Sequence, residues 1–347
     1  MYNAEISGLS HDNAEDAFSV EDFLDERRLN LHDGFKSVDD IWDFFTNEER
    51  LAGFNLDEGT LLFRGQSRAV HGVNSSLYRV AQQEIEKVQE ASTAQQKYRA
   101  ESVLAEAEIR VLEAARVNGI GLGLSNLETL GLLQHHSSPT RLLDVSASPL
   151  VSLYFACEKN DSEDGRVFLF TVRNDDDELP APEAAGTRLP WTDWIGRTSD
   201  RRNWSTKVWH LPMTPLDARM RAQQGTFLVG GLYSSGGDYP VYWKKKSSDV
   251  GHGKTLAASD FRRVCTLTIN FPAVGLRPRN ASSWSAYGWS LRINRKWKSK
   301  LRERLAHLPQ PITYDSVYPP IDEVRRLLDH VARQGAKDAV DNLNLGI

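Results

Sequence analysis

Three polar clusters interrupt apolar runs in this sequence, and their residue types fit the holding of an anion. The first is Arg64-Gly65-Gln66, which follows Leu61-Leu62-Phe63. Arginine cannot shed its charge inside a protein, so one at the inner end of a buried strand needs an anionic partner, either a carboxylate of the chain or a ligand. The second cluster holds His135-His136, Thr140-Arg141 and Asp144. The third runs Arg219, Arg221, Gln223, Gln224 ahead of Gly225. Each falls at a predicted strand end or strand-to-helix junction, where α/β proteins tend to build their sites.

Each cluster has a structural and a ligand-binding reading. Ser148 stands directly before Pro149, the N-cap and first-turn pair that opens a helix. A helix amino terminus offers unpaired amides and roughly half a positive charge, so with Arg64 and Arg141 nearby it would make a phosphate site. Alternatively Ser148 caps its helix and nothing more. A bidentate pair of Arg64 or Arg141 with Asp144 would satisfy the charge with no ligand at all. His135 and His136 diverge by about 100° on a helix, which makes them poor joint ligands for one metal. With no HExxH or CxxC in the chain, no metal site is expected. His135 either closes its helix or bonds a ligand ring, and Tyr78 in "VNSSLYR" is a second candidate for a ring. Of Gln223 and Gln224, one would turn inward from a strand; its amide pairs with main chain or holds a ligand hydroxyl.

The elements that must position these residues are predicted as follows. "SVDDIWDFF" is an amphipathic helix with Ser37 as N-cap and Asp40 three residues on. "TLLFRG" is an inner strand, "VNSSLYR" a loop, and Ala81 to about Val117 a long helix or helical hairpin ended by "NGIGLG". Ser125 and Glu128 make a capping box for a helix that ends near "QHHSSP". "TRLLDV" is a strand, "PLVSLYFACE" a helix and "EDGRVFLFTV" a buried strand. "RMRAQQGTFLVGG" and "VCTLTINFP" read as further strands. "INRKWKSKLRERLAHL" is an amphipathic helix with Ile293, Trp297, Leu301, Leu305 and Leu308 on one stripe. A last helix lies near "IDEVRRLLDHVARQ". The fold class that follows is α+β, with a mixed or antiparallel central sheet flanked by helices. Residues 1–33 are expected to be a mobile acidic lead-in, 34–335 one domain and 336–347 a tail. Residues 174–215, with Trp191, Trp194, Trp204 and Trp209, form a long insertion folded over the core, because exposed linkers seldom carry four tryptophans.

At 347 residues the chain can bury a substantial core, and a net charge of −5 gives no global pull toward nucleic acid. Cys157 and Cys265 are too few for a disulfide framework, which fits a reducing cytoplasm. No run approaches the roughly 18 apolar residues of a membrane span, and the acidic start lacks the positive end of a signal peptide. A cytoplasmic protein without membrane contact is expected. Arg292, Arg295, Lys296, Lys298, Lys300, Arg302 and Arg304 surround the late amphipathic helix. Such a run is a solvated face or a surface for nucleic acid.

Together, "FRGQS", "QHHSSPTRLLDVSASPLVSLYFA", "RMRAQQGTFLV" and "TYDSVYPPIDEVRRLL" resemble, in order, the FRG domain, a bacterial and phage-associated family. The resemblance spans about residues 37–330. It departs from the family at Ser138, where glycine is more frequent at or beside that position, and at Val145, where tryptophan is. The order of an arginine after an aromatic, a hydroxyl-bearing middle segment and a late amide also looks like the ADP-ribosyltransferase fold. That likeness implies NAD as substrate or ligand: Arg64 on the phosphates, Ser146 or Thr140 orienting the nicotinamide half, and Gln223 or Gln224 on the ribose 2'-hydroxyl. Glutamine stands where that fold has glutamate. It can hold the hydroxyl but cannot serve as general base, which favours NAD hydrolysis or transfer to a good acceptor over transfer to a weak nucleophile. The implied role is a nucleotide-binding effector of phage defence. The alternative is a non-catalytic module that binds nucleic acid or a phage protein through the basic helix and the tryptophan-rich insertion.

Overall fold

The computed structural model describes residues 18–27, 35–55, 59–91, 100–173, 189, 191, 207–212, 215, 218–232, 239–243, 254–256, 258–272 and 284–319. Its centre is a six-stranded sheet. In chain order the strands are β1 (Thr60–Gln66), β2 (Leu143–Ser146), β3 (Gly165–Val172), β4 (Val208–Leu211), β5 (Gly225–Gly230) and, after a separate β6–β7 pair (Tyr239–Trp243, Lys254–Leu256), β8 (Ala286–Ile293). Their order across the sheet is β4-β5-β2-β1-β3-β8, and every neighbour is antiparallel. The protein is thus α+β. Directly paired residues share a face, so period-two alternation along the strands builds two separate cores, one on each side of the sheet.

Leu62, Val145, Phe168, Phe170 and Leu228 point to one face, which is covered by α1 (Val20–Glu26), by α9 (Ala258–Val264) and by buried residues from Cys265 to Phe271. Phe63, Val167, Leu169 and Leu291 point to the other. That face is covered by α2 (Val38–Thr46), α7 (Pro149–Cys157) and α10 (Lys298–Ala306). A third cluster extends from β4 and β5 to α5 (Ala100–Val117) and α6 (Asn126–His135). Each large apolar side chain buried here contributes about 1.5–3 kcal/mol.

Two glycines set the distance between the sheet and α7. A Cβ on Gly65 would lie 1.9 Å from the Ser152 carbonyl oxygen, and one on Gly165 would lie 2.2 Å from that of Ala156. Helix and strands therefore touch backbone to backbone. Locally, α7 starts where it does because Ser148 accepts from the Val151 amide and Pro149 takes the first turn. Reciprocal capping boxes start α2 at Ser37 and Asp40, and α6 at Ser125 and Glu128.

Several sequence expectations are revised. The segment at 76–80 is not loop but the start of α4 (Ser76–Ala91), which pairs with α5 as a hairpin. The 1–33 lead-in contains α1, whose Phe23 and Leu24 are fully buried and whose Asp25 binds Arg166 on β3. "RMRAQQ" is not strand; it forms the short helix α8 (Ala218–Ala222) and a turn, and β5 begins at Gly225. "VCTLTINFP" joins the structure through isolated bridges at Cys265 and Asn270 rather than as a strand, and its Cys265, Leu267, Ile269 and Phe271 are buried in the core beneath the sheet. Leu189, Trp191 and Trp209 of the 174–215 segment are buried in the third cluster. Trp194, Trp204, the helix expected near Ile321 and the 336–347 tail lie outside the described residues.

Candidate functional site

A cavity of about 360 Å³ opens where β1, β2 and β5 end beneath α6, α7 and α8. Residues from all three predicted clusters line it: Arg64, His135, Asp144, Ser146, Arg219 and Gln223. They are joined by Ser76 and Arg79 of α4, Gln134 of α6, Ser137, Ser138, and Ser152 and Phe155 of α7. Its charged walls are three guanidiniums, Arg64, Arg79 and Arg219, against one carboxylate, Asp144.

Arg64 sits where β1 and β2 part. The two strands pair through Phe63 and Ser146, and beyond that pair the Arg64 Nη1 donates to the Asp144 carbonyl at 2.6 Å. A side chain thus takes a bond that a continuing ladder would give to a main-chain amide. The Asp144 carboxylate is farther, 3.7 Å from Nη1 and half-exposed, and it accepts from Gln134 Nε2 at 2.5 Å. Gln134 is locked in turn by the Thr140 hydroxyl, which donates to its Oε1 at 2.6 Å. Burial pulls the Arg64 guanidinium below the ordinary arginine value while the Asp144 charge opposes the shift. Its Nε is buried without a hydrogen-bond partner among the described residues.

The opposite wall is built on α8 and α7. Arg219 lies with its guanidinium carbon 4.7 Å from the centre of the Tyr318 ring, and its Nε is likewise buried and without a partner among the described residues. Gln223 donates its amide nitrogen to the Val317 carbonyl at 3.2 Å, which leaves Oε1 to accept. Ser146 donates to the Gln223 carbonyl at 2.7 Å and accepts from the Ser148 amide at 3.0 Å. Ser152 is 1% exposed, and its hydroxyl has no partner among the described residues. Buried donors normally find a partner, and three on this lining, the Nε of Arg64, the Nε of Arg219 and the Ser152 hydroxyl, have none among the described residues. The strained backbone of Ser137, at φ 63°, and of Gln224, at φ 46°, flanks the same opening.

Of the residues singled out in the sequence, His136 and Arg221 do not line the cavity, nor do six candidate binding residues. Arg141 is buried against α5: its Nε contacts both Glu108 carboxylate oxygens at 2.9 and 3.0 Å, and its Nη1 contacts Glu101 at 2.8 Å. Two carboxylates already cover its charge, so it is no second phosphate holder. Tyr78 packs with Leu77, Ala81, Leu104 and Leu232, and burial raises its hydroxyl pKa, so it is not exposed to stack on a ligand ring. Thr140 is fully buried. Gln66 donates to the Gly72 carbonyl at 3.3 Å. Ser148 is a cap, and Gln224 turns outward while its carbonyl accepts from the Ala147 amide. Conversely, Arg79, Gln134 and Ser152 were not chosen from the sequence. The one available signal for Ser152 was a serine inside the apolar run "LVSLYFA".

The basic stretch is mostly compensated from within. Arg292 meets Asp164, Glu21 and Asp25, Arg302 meets Asp161, and Arg304 meets Asp39. Lys298 is fully buried, with Nζ donating to the carbonyls of Ser67, Lys159 and Asn160 at 2.8 to 3.0 Å. Burial pushes the Cys157 and Cys265 thiols up to about 12, which removes them as nucleophiles. Among the described residues no cluster of three or more His, Cys, Asp or Glu side chains could hold a metal, and no helix is long and apolar enough to cross a membrane.

In a comparison with known families, the model of the FRG domain matches residues 59–165. That segment contains the Arg64 and Asp144 clusters and ends at the start of β3, short of Arg219 and Gln223. No curated protein and no solved structure matches the chain.

Proposed function

From the FRG domain that the chain carries over residues 59–165, we propose a binding site for a phosphate-bearing small molecule of nucleotide size, with NAD as its first candidate. The observation that carries this is the cavity's imbalance of three guanidiniums to one carboxylate, with buried, unmet donors on Arg64, Arg219 and Ser152. Its volume of about 360 Å³ falls at the lower end of the range usual for small-molecule sites. Arg64 and Arg219 take the phosphates. Phe155 and His135 face the ring system, and Gln223 accepts a ribose hydroxyl through Oε1.

The chemistry this set supports best is hydrolysis of the nicotinamide–ribose bond. Nicotinamide leaves with the bonding electrons, water supplies the new C–O bond and releases a proton, and the Gln223 carbonyl dipole faces the cationic sugar. Asp144 is the carboxylate of the cavity placed to orient that water. The resemblance to a phage-associated family supports a role in defence.

The test is calorimetric titration of NAD and ADP-ribose, with nicotinamide release followed in parallel. Wild type should bind and Arg64→Ala should bind about 10- to 100-fold more weakly, as expected for losing one charge-assisted contact. Equal binding by both proteins would remove the phosphate role of Arg64. Binding without nicotinamide release would leave a nucleotide receptor rather than a hydrolase.

A further inference from the structure

The family-matched segment supplies only part of the cavity wall. Arg219 and Gln223 lie beyond it, and both are seated by two consecutive residues at the end of α11 (Tyr314–Val317). The Val317 carbonyl fixes the Gln223 amide, and the Tyr318 ring underlies Arg219. The α11 turn is itself fixed by a reciprocal cap between Thr313 and Ser316. Phe155, also on the cavity wall, meets the Tyr318 ring edge-on at 6.3 Å. Burial, and then the Glu158 carboxylate at the end of α7, raise the pKa of the Tyr318 hydroxyl.

An arginine held by a ring face differs from one held by a carboxylate. A carboxylate occupies N–H groups and cancels charge, as Glu108 does for Arg141. An aromatic face orients the guanidinium plane and leaves its edge donors open. Among the described residues no side-chain hydrogen bond of Arg219 is seen, and its buried Nε in particular has no partner, so that donor remains for something else.

We propose that Tyr318 is a positioning residue, which presents Arg219 to an anionic group of the ligand and makes this wall of the cavity selective for phosphate. The inference rests on the nucleotide reading above and deepens it: the grip on phosphate is shared by Arg64 from the family segment and Arg219 from outside it. The ligand class expected is one with two linked anionic groups, such as a pyrophosphate, rather than a nucleoside.

Two readouts test it on the full chain. The first needs no nucleotide: the side-chain protons of Arg219 should show an upfield ring-current shift in nuclear magnetic resonance spectra. The shift should persist in Tyr318→Phe, which keeps the ring and loses only the hydroxyl, and vanish in Tyr318→Leu. The second is affinity for NAD and for inorganic pyrophosphate. Tyr318→Phe should bind within about twofold of wild type, while Tyr318→Leu and Arg219→Lys each lose about tenfold, the size of one aromatic-backed contact. Should Tyr318→Leu fail to fold, the wild-type shift and Arg219→Lys still decide the matter. A wild-type Arg219 signal without a ring-current shift, or a Phe variant as impaired as the Leu variant, overturns the role. If pyrophosphate binds and moves the Arg219 signal while NAD does not, the nucleotide reading falls and the positioning role stands. If neither ligand binds, both fall.

Discussion

The stretch from Arg292 to Arg304 carries seven cations, and the cavity carries three guanidiniums. Along the stretch, Asp164, Asp161, Asp39, Glu21 and Asp25 come from three other parts of the chain to meet those cations, and Lys298 is wrapped in carbonyls. In the cavity Arg64 and Arg79 donate to the carbonyls of Asp144 and Asn74, which carry no charge, and Arg219 rests on a ring. The half-exposed Asp144 carboxylate stands 3.7 Å from Arg64 and is shared with Gln134. The density of basic residues in a sequence therefore does not locate an anion site here. The proposed site rests instead on the shortfall of compensating charge, which depends on distant residues.

The largest expected effect would come from removing a compensated arginine. Arg141→Ala leaves Glu108 fully buried without its guanidinium, and breaking such a pair costs about 3–5 kcal/mol. Urea unfolding should show that loss. Arg64→Ala, by contrast, removes one hydrogen bond to a carbonyl and should cost about 1 kcal/mol, with its effect concentrated in ligand binding. Similar losses of stability in the two variants would break the distinction between structural and ligand-facing arginines.

Next in size is Gly65→Ala. The added methyl would lie 1.9 Å from the Ser152 carbonyl oxygen and 2.8 Å from the Ala156 nitrogen, both main-chain atoms that cannot swing away. Overpacking of this kind costs about 1–3 kcal/mol. Because β1 carries Arg64 and α7 carries Ser152 and Phe155, the same shift should weaken NAD binding. Loss of melting temperature with binding intact would show that the cavity does not depend on the close approach of β1 to α7.

These contrasts also mark how far the sequence can be read. The starts of α2, α6 and α7 were legible because a capping box or a Ser-Pro pair is local, and β1, β2 and β3 because short apolar runs are. The convergence of the three clusters was legible only as an expectation tied to strand ends. The partners of Arg141 were not. Glu101 and Glu108 lie in a helix rich in alanine and glutamate, where nothing local separates a buried carboxylate from a solvated one. The same holds for Arg219, whose ring comes from Tyr318 at the far end of the described chain. The error over residues 264–272 had another cause. Apolar alternation reports a half-buried surface, and here that surface packs under the sheet and meets β8 only through the bridge of Asn270 to Tyr287.

The smallest expected effect lies on the compensated side of the comparison. Lys296 and Lys300 point into solvent, and with Arg295 they are the exposed cations of the basic stretch whose side chains meet no carboxylate among the described residues. Lys296→Glu with Lys300→Glu should change stability by no more than about 0.5 kcal/mol. NAD affinity should not change, since neither residue lines the cavity. If the stretch nevertheless binds nucleic acid, three free cations allow a salt slope no steeper than about −2.7, since each neutralised phosphate adds roughly −0.9. Retention of the wild type on duplex DNA across a salt series measures that slope. A steeper value, lost in the double variant, would mean that Arg292, Arg302 and Arg304 exchange their carboxylates for phosphates, and internal pairing would then no longer separate this surface from the cavity.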